Sequence, residues 1–207
     1  LMTGEENDVE SQARLTVETL FTIADAELVR RLWASYLEAH AISEEVCIQE
    51  QRCFTEETFA AAMADQEYVK FVLFADDAPV GMIGGTNNLE KARVAYVNPK
   101  RLVAAHPPAA DGKLWYMPLL FVRDAWQRTG ATRPMFAAMT RFFLDRGAAF
   151  ASDYAFDKHP DFLALIDKTV GPAVADATSG TAVLRHQVLG GQTYVLWTLE
   201  PRETAEG

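Results

Sequence analysis

Apolar and polar positions change period several times along this chain, and each change marks a new element. Between Leu15 and Ile23 the apolar positions Leu15 and Val17, with Thr19, alternate against polar neighbours, which predicts a strand. Beyond Asp25, a residue suited to cap a helix, the spacing becomes helical. Leu28, Val29, Leu32, Trp33, Tyr36, Leu37 and His40 then line one face of a helix over 26–40. Thr55 opens a second helix, with Glu56 and Glu57 in its first turn, where the helix dipole favours acids, and Phe59 and Met63 on one face. Tyr68 to Ala75 and Pro79 to Thr86 are β-rich runs on either side of Asp76-Asp77, so they read as a hairpin.

Residues 87–113 form a long connection. Within it a short helix is expected at Pro99–Ala105, capped by Asn98, followed by a loop from His106 to Gly112. A connection of this length is expected to be functional or mobile, covering an acceptor pocket or forming an interface. Leu114 to Val122 is the central strand. A helix carrying Met135, Phe136, Met139, Phe142 and Phe143 on one face follows, with Arg141 and Arg146 near its C-terminal end and Gly147 terminating it. Phe150 to Phe156 reads as a strand, Pro160 to Val170 as a helix, and Ala182–Val188 with Thr193–Leu199 as a hairpin across Gly190-Gly191. The polar stretches 1–12 and 202–207 are expected to be disordered tails around a single domain over 13–201. The order β-α-α-β-β-β-α-β-α-β-β predicts an α+β fold.

Composition narrows the function classes. The 207 residues are enough for a substantial core, and a 49% hydrophobic content is ordinary for a globular protein. A net charge of −10 argues against nucleic acid as a partner and suits a cationic substrate such as an amine. Cys47 and Cys53 are the only cysteines, and no histidines are spaced to complete a metal site with them. They read as reduced thiols, and no metal is expected. The stretch Gly4 to Gln12 is acidic and polar, unlike a secretory signal, and no apolar run is long enough for a membrane span. The expected location is the cytoplasm, away from membranes.

The most telling stretch runs from Leu119 to Thr132: a buried strand, a polar turn, a glycine-containing loop and a helix start. That order presents free backbone N–H groups at a helix N-terminus, where an anion such as a diphosphate is favoured. The spacing Gln127-x-x-Gly130-x-Thr132 resembles the Q/R-x-x-G-x-G/A loop with which GNAT acyltransferases grip the pyrophosphate of coenzyme A. The element order from Leu15 to Leu199 is similar to that family too. Its loop also falls between the fourth strand and the third helix. The resemblance implies a GNAT-like fold: a central mixed, mostly antiparallel sheet flanked by helices. Two positions depart from the pattern. Thr132 stands where the family has Gly or Ala, with a hydroxyl able to cap the helix or bond a phosphate. Pro134 removes an N–H, but one in the first turn, where it has no intrahelical partner.

The same resemblance implies a reaction: transfer of an acetyl or other acyl group from acyl-CoA to an amine, by direct attack in a ternary complex. Gln127, Arg128, Thr129, Gly130, Ala131 and Thr132 would hold the diphosphate, with Arg123, Arg128 and Arg133 available to the remaining phosphate or the adenine end. The family's fourth and fifth strands splay apart, and the pantetheine arm would pair with the backbone of Leu120, Phe121 and Val122. Pro118 suits a bulge or an unpaired edge in that strand. No carboxylate lies between Leu114 and Val122, so Tyr116, Asp153, Glu18 or an ordered water chain would serve as base. The family's tyrosine acid is replaced by Ile166 in Leu165-Ile166-Asp167-Lys168-Thr169-Val170-Gly171, which leaves Tyr154, His159 or solvent to protonate the thiolate. The acceptor would be a small-molecule amine or a peptide. Alternatives are a non-catalytic GNAT-like domain that binds coenzyme A or a protein, and an acyltransferase fed by acyl carrier protein, with Trp115, Met117, Leu119 and Phe121 lining a wider channel. The edge of the C-terminal hairpin is a candidate homodimer contact.

Overall fold

Seven strands join in one sheet in the order β1-β2-β3-β4-β5-β7-β6, and β4 with β5 is the one parallel pair among the described residues. The structure is a computed structural model and describes residues 13–40, 54–91, 99–153, 161–188 and 194–201. Its strands are β1 (Leu15–Leu20), β2 (Tyr68–Ala75), β3 (Ala78–Thr86), β4 (Leu114–Val122), β5 (Ala149–Asp153), β6 (Ala182–Val188) and β7 (Tyr194–Pro201). Its helices are α1 (Ala26–His40), α2 (Glu56–Ala64), α3 (Pro99–Ala105), α4 (Thr132–Arg146) and α5 (Phe162–Ala177). Asn98, Tyr154, Phe156, His159, Pro160, Gly190, Gly191, Thr193, both cysteines and the two tails lie outside the described residues. No described helix is long and apolar enough to cross a membrane.

The helices divide between the two faces of the sheet. α4 and α5 cover one face with Met135, Phe136, Met139, Phe143, Ile166, Val170 and Val174, packed on Phe71, Ile83, Trp115, Phe150 and Trp197. Phe143, Phe150 and Trp197 stack nearly parallel there, at centroid spacings of 5.4 and 5.1 Å. The other face carries two separate clusters. α1 and α2 lay Leu32, Trp33, Tyr36, Phe59 and Met63 over Val72, Met82, Leu119 and Phe121. α3 and the 3₁₀ turn Pro107–Asp111 lay Leu102 and Ala109 over Leu114, Tyr116, Ala149, Ala151 and Leu196. β4 runs beneath both clusters and belongs wholly to neither.

Local chemistry explains the helix ends. Thr55 and Thr58 cap α2 reciprocally: the Thr58 N–H donates to Thr55 Oγ1 at 3.2 Å and the Thr55 N–H to Thr58 Oγ1 at 2.8 Å. Gly147 ends α4 in the left-handed conformation, φ 54°. Two expectations need correction. The segment from His106 to Gly112 is not all loop, because the fixed φ of Pro107 and Pro108 favours a tight helical turn. α5 does not stop at Val170 but runs through Gly171-Pro172 to Ala177. Ile166, Val170 and Val174 lie one helical turn apart and are all buried, and this continuous apolar stripe outweighs the ~3 kcal/mol that an interior proline costs.

Lys70 on β2 is fully buried and joins two chain segments on the α1/α2 face. Its Nζ donates to the Phe21 carbonyl at 2.8 Å and to the Asp65 carbonyl at 2.7 Å, tying the exit of β1 to the end of α2. Loss of hydration pushes this ammonium down from 10.5 to about 8, and the charge of Asp65 opposes the shift. The unfolded chain keeps the proton to a higher pH than the folded one. Folding therefore releases a proton between about pH 8 and 10.5, and stability rises with pH across that window. In urea titrations, the stability of the wild type relative to Lys70→Met should increase from pH 8 to 10.5, and a flat difference would contradict the shift.

Gly85 makes a second prediction. A Cβ there would strike the Tyr116 carbonyl oxygen and lie 2.8 Å from Met117 Cα, whereas a Cβ on neighbouring Gly84 meets nothing nearer than 3.4 Å. Gly85→Ala should lower the unfolding free energy by about 2–3 kcal/mol, and Gly84→Ala by less than about 1 kcal/mol. Chemical denaturation of both variants checks the difference.

Candidate donor site between the central strands

β4 and β5 run together for only three rungs. The ladder pairs Leu114 with Ala149, Trp115 with Phe150 and Tyr116 with Ala151, and then stops. Beyond it β5 continues on β7 alone, from Phe150 against Trp197 to Asp153 against Tyr194. On its other side β4 stays on β3, but with a register shift: Thr86 faces Tyr116 and Gly84 faces Leu119, so Met117 and Pro118 together oppose Gly85. The bulge reverses the facing of the strand. Trp115 and Met117 point into the α4/α5 core before it, Leu120 and Val122 do so after it, and Leu119 and Phe121 turn to the α1/α2 core. The proline therefore occupies a bulge, one of the two settings its sequence position suggested.

The alternation of an antiparallel ladder fixes which backbone groups face the opening. The Arg123 N–H donates to the Val80 carbonyl at 2.9 Å, so Phe121 and Leu119 also bond toward β3, and Leu120 and Val122 turn their N–H and C=O groups toward the splay. No described strand pairs with them there. Two side chains close the ends of this open stretch. Gln127 Nε2 donates to the Val122 carbonyl at 3.0 Å, and Ser152 Oγ donates to the Met117 carbonyl at 3.1 Å. Between them the strand offers two N–H donors and the Leu120 carbonyl.

The outer end of this slot meets the glycine loop. A short 3₁₀ turn, Asp124–Trp126, leads into Arg128 at φ 61° and Gly130 at φ 84°. Ala131 is right-handed, φ −59° and ψ −23°, and α4 begins at Thr132. A left-handed residue followed by a right-handed one turns successive N–H groups to one side, making a concavity for an anion. Among the described residues, the N–H groups of Arg128, Thr129, Gly130 and Thr132 bond to no backbone carbonyl. Thr129 Oγ1 braces the loop by donating to the Trp126 carbonyl at 2.8 Å and accepting from the Ala131 N–H at 3.3 Å. Ala131 holds the N-cap position, so the Thr132 hydroxyl does not cap the helix.

The arginines differ in what holds them. Arg123 is held by Glu38 of α1 at 2.9 Å, so it ties that helix to the end of β4 and is not free for a ligand. Arg128 and Arg133 are exposed and form no ion pair among the described residues.

Of the acid and base candidates, Tyr154 and His159 lie outside the described residues. Asp153 ends β5 in register with Tyr194. Tyr116 is buried at the last rung of the β4–β5 ladder, on the α3 side. Glu18 drops out: it is exposed on β1, and β2 and β3 separate it from β4, about 14 Å at the usual strand spacing. Ile166 is 3% exposed inside the α4/α5 core. Trp115, Met117, Leu119 and Phe121 are all buried and divided between two faces, so they do not line one channel. Sequence reasoning missed Ser152, Gly85 and Glu38. The paired glycines at the end of β3 were the one visible signal among them.

No protein-family model and no curated protein sequence matches the chain. Solved structures do. A PaiA N-acetyltransferase from Thermoplasma acidophilum, in complex with coenzyme A, is similar with a TM-score of 0.51 and 11% identity, over 89% of this chain and 99% of that one. An aminoglycoside acetyltransferase from an uncultured soil metagenomic sample, in complex with trehalose, has a TM-score of 0.49 and 17% identity over 76% of this chain and 88% of that one. FeeM, an N-acyl amino acid synthase from uncultured soil microbes, has a TM-score of 0.45 and 14% identity over 91% of each chain. The chain has the fold of the GNAT acetyltransferases, a seven-stranded mixed sheet between layers of helices.

Proposed function

We propose that this protein transfers an acetyl or other acyl group from acyl-CoA to an amine acceptor, by direct attack in a ternary complex. The observation that carries this reading is the open backbone of β4, bounded by Gln127 and Ser152 and leading to the N–H concavity at Gly130. A pantetheine arm carries two amides and needs donors and an acceptor spaced along an extended strand. Leu120 and Val122 supply them. The arm has about twelve bonds from phosphate oxygen to sulfur and reaches ~14 Å when extended, at ~3.6 Å per three bonds. Four strand residues span a similar ~13 Å, so an arm entering beside Val122 delivers its sulfur to Pro118.

In this arrangement the diphosphate rests on the N–H groups of residues 128–132, and Arg128 and Arg133 stand near for the remaining phosphate. The Leu120 N–H is the slot donor closest to the thioester carbonyl and polarises it. The amine attacks that carbonyl carbon and loses a proton, the C–S bond breaks, and the thiolate takes a proton to leave as coenzyme A. Asp153, Tyr116 or a water chain accepts the first proton, and Tyr154, His159 or solvent supplies the second. PaiA of Thermoplasma acidophilum, which shares the fold, was crystallised with coenzyme A. The buried Ile166 favours one other reading, a domain that binds coenzyme A without turnover.

Calorimetric titration with acetyl-CoA tests the proposal. Micromolar affinity is expected for the wild type, and Gly130→Glu, which sets a carboxylate among the diphosphate N–H groups, should weaken it about 100-fold or more. In a screen of amine acceptors, Tyr154→Phe or His159→Ala should lower turnover while keeping that affinity. No binding by the wild type would overturn the reading, and binding without turnover on any amine would leave the non-catalytic one.

A further inference from the structure

Where the two central strands part, a side-chain hydrogen bond joins them. In the parallel register that joins Tyr116 to Ala151, the next residues in line are Met117 and Ser152. At that step a side chain replaces the main-chain bond: Ser152 Oγ donates to the Met117 carbonyl at 3.1 Å. Met117 is also the first of the two residues bulged against Gly85, and the missing Cβ of that glycine makes the room for Tyr116 and Met117 to buckle toward β3. The next residue, Pro118, has no N–H with which to anchor the buckled turn. The peptide between Met117 and Pro118 is therefore held through its carbonyl, and among the described residues Ser152 is the group that holds it.

That peptide sets the course of the strand that follows. Leu120 lies two residues beyond Pro118 and carries the first slot-facing N–H after the bulge. We infer that Ser152 is a positioning residue: by fixing the Met117 carbonyl it aims the Leu120 N–H at the thioester carbonyl of the bound donor. This inference rests on the acyl-CoA reading of the site. Small displacements of such a donor matter, because a misplacement of ~1 Å costs on the order of 100-fold in rate. A purely structural hydroxyl would contribute to stability and nothing to the polarisation of the ligand.

Isotope-edited infrared spectroscopy of acetyl-CoA, labelled at the thioester carbonyl, separates these roles without an identified acceptor. In the wild type the bound carbonyl stretch should fall below its value in free acetyl-CoA, as expected for a hydrogen-bonded carbonyl. Ser152→Ala should lose most of that displacement while keeping its affinity for coenzyme A within about threefold, and Ser152→Thr, which keeps the hydroxyl, should restore it. Should Ser152→Ala not fold, Ser152→Cys, similar in size but a weaker donor, carries the same comparison. An undiminished displacement in the variant lacking the hydroxyl would overturn the positioning role while leaving the acyl-CoA reading intact. A wild type that binds neither acetyl-CoA nor coenzyme A would overturn both.

Discussion

A strand in the middle of a sheet normally spends its backbone hydrogen bonds on two neighbours, and among the described residues β4 has one neighbour over half its length. The rest of the site depends on that constraint. Buried N–H and C=O groups need partners, so a central strand with an open side must find them in side chains, water or a ligand. Among the described residues, side chains meet the need only at the two ends of the opening, Gln127 at Val122 and Ser152 at Met117. Among the described residues, no strand pairs with the Leu120 N–H and C=O or with the Val122 N–H. The bulge at Met117–Pro118 lets β4 turn away from β5 without leaving β3, and Gly85 lets the bulge exist.

The two faces of the sheet are covered differently. α4 and α5 seal one face with a continuous aromatic core, while the opposite face is covered in two pieces, by α1 with α2 and by α3 with its 3₁₀ turn. β4 passes from one piece to the other at its bulge. Tyr116, before the bulge, belongs to the α3 cluster, and Leu119, after it, to the α1/α2 cluster. Two polar ties hold the α1/α2 piece: Lys70 joins the end of α2 to the exit of β1, and Glu38 fixes α1 to Arg123 at the end of β4.

What could be read in the sequence was whatever depends on near neighbours. Helix 26–40 follows from its periodicity and strand 114–122 from an unbroken apolar run, and the structure has both over those bounds. The glycine loop was legible because its chemistry, a left-handed residue before a helix start, is contained in a few consecutive positions. The extension of α5 was not, because Gly171-Pro172 is a strong local stop that gives way only when the sheet is present to bury Val174. Ser152, Gly85 and Glu38 were hidden for a related reason. Each acts on a residue far along the chain, Ser152 on Met117, Gly85 on Tyr116 and Glu38 on Arg123, and only the paired glycines at Gly84-Gly85 gave a local sign.

Residue-resolved amide exchange with and without coenzyme A tests the open strand most directly. If the donor arm pairs with β4, the amides of Leu120 and Val122 should exchange more slowly on binding, while those of Leu119 and Phe121, already bonded toward β3, should change little. Equal slowing along the strand, or slowing elsewhere with Leu120 and Val122 unaffected, would contradict the account.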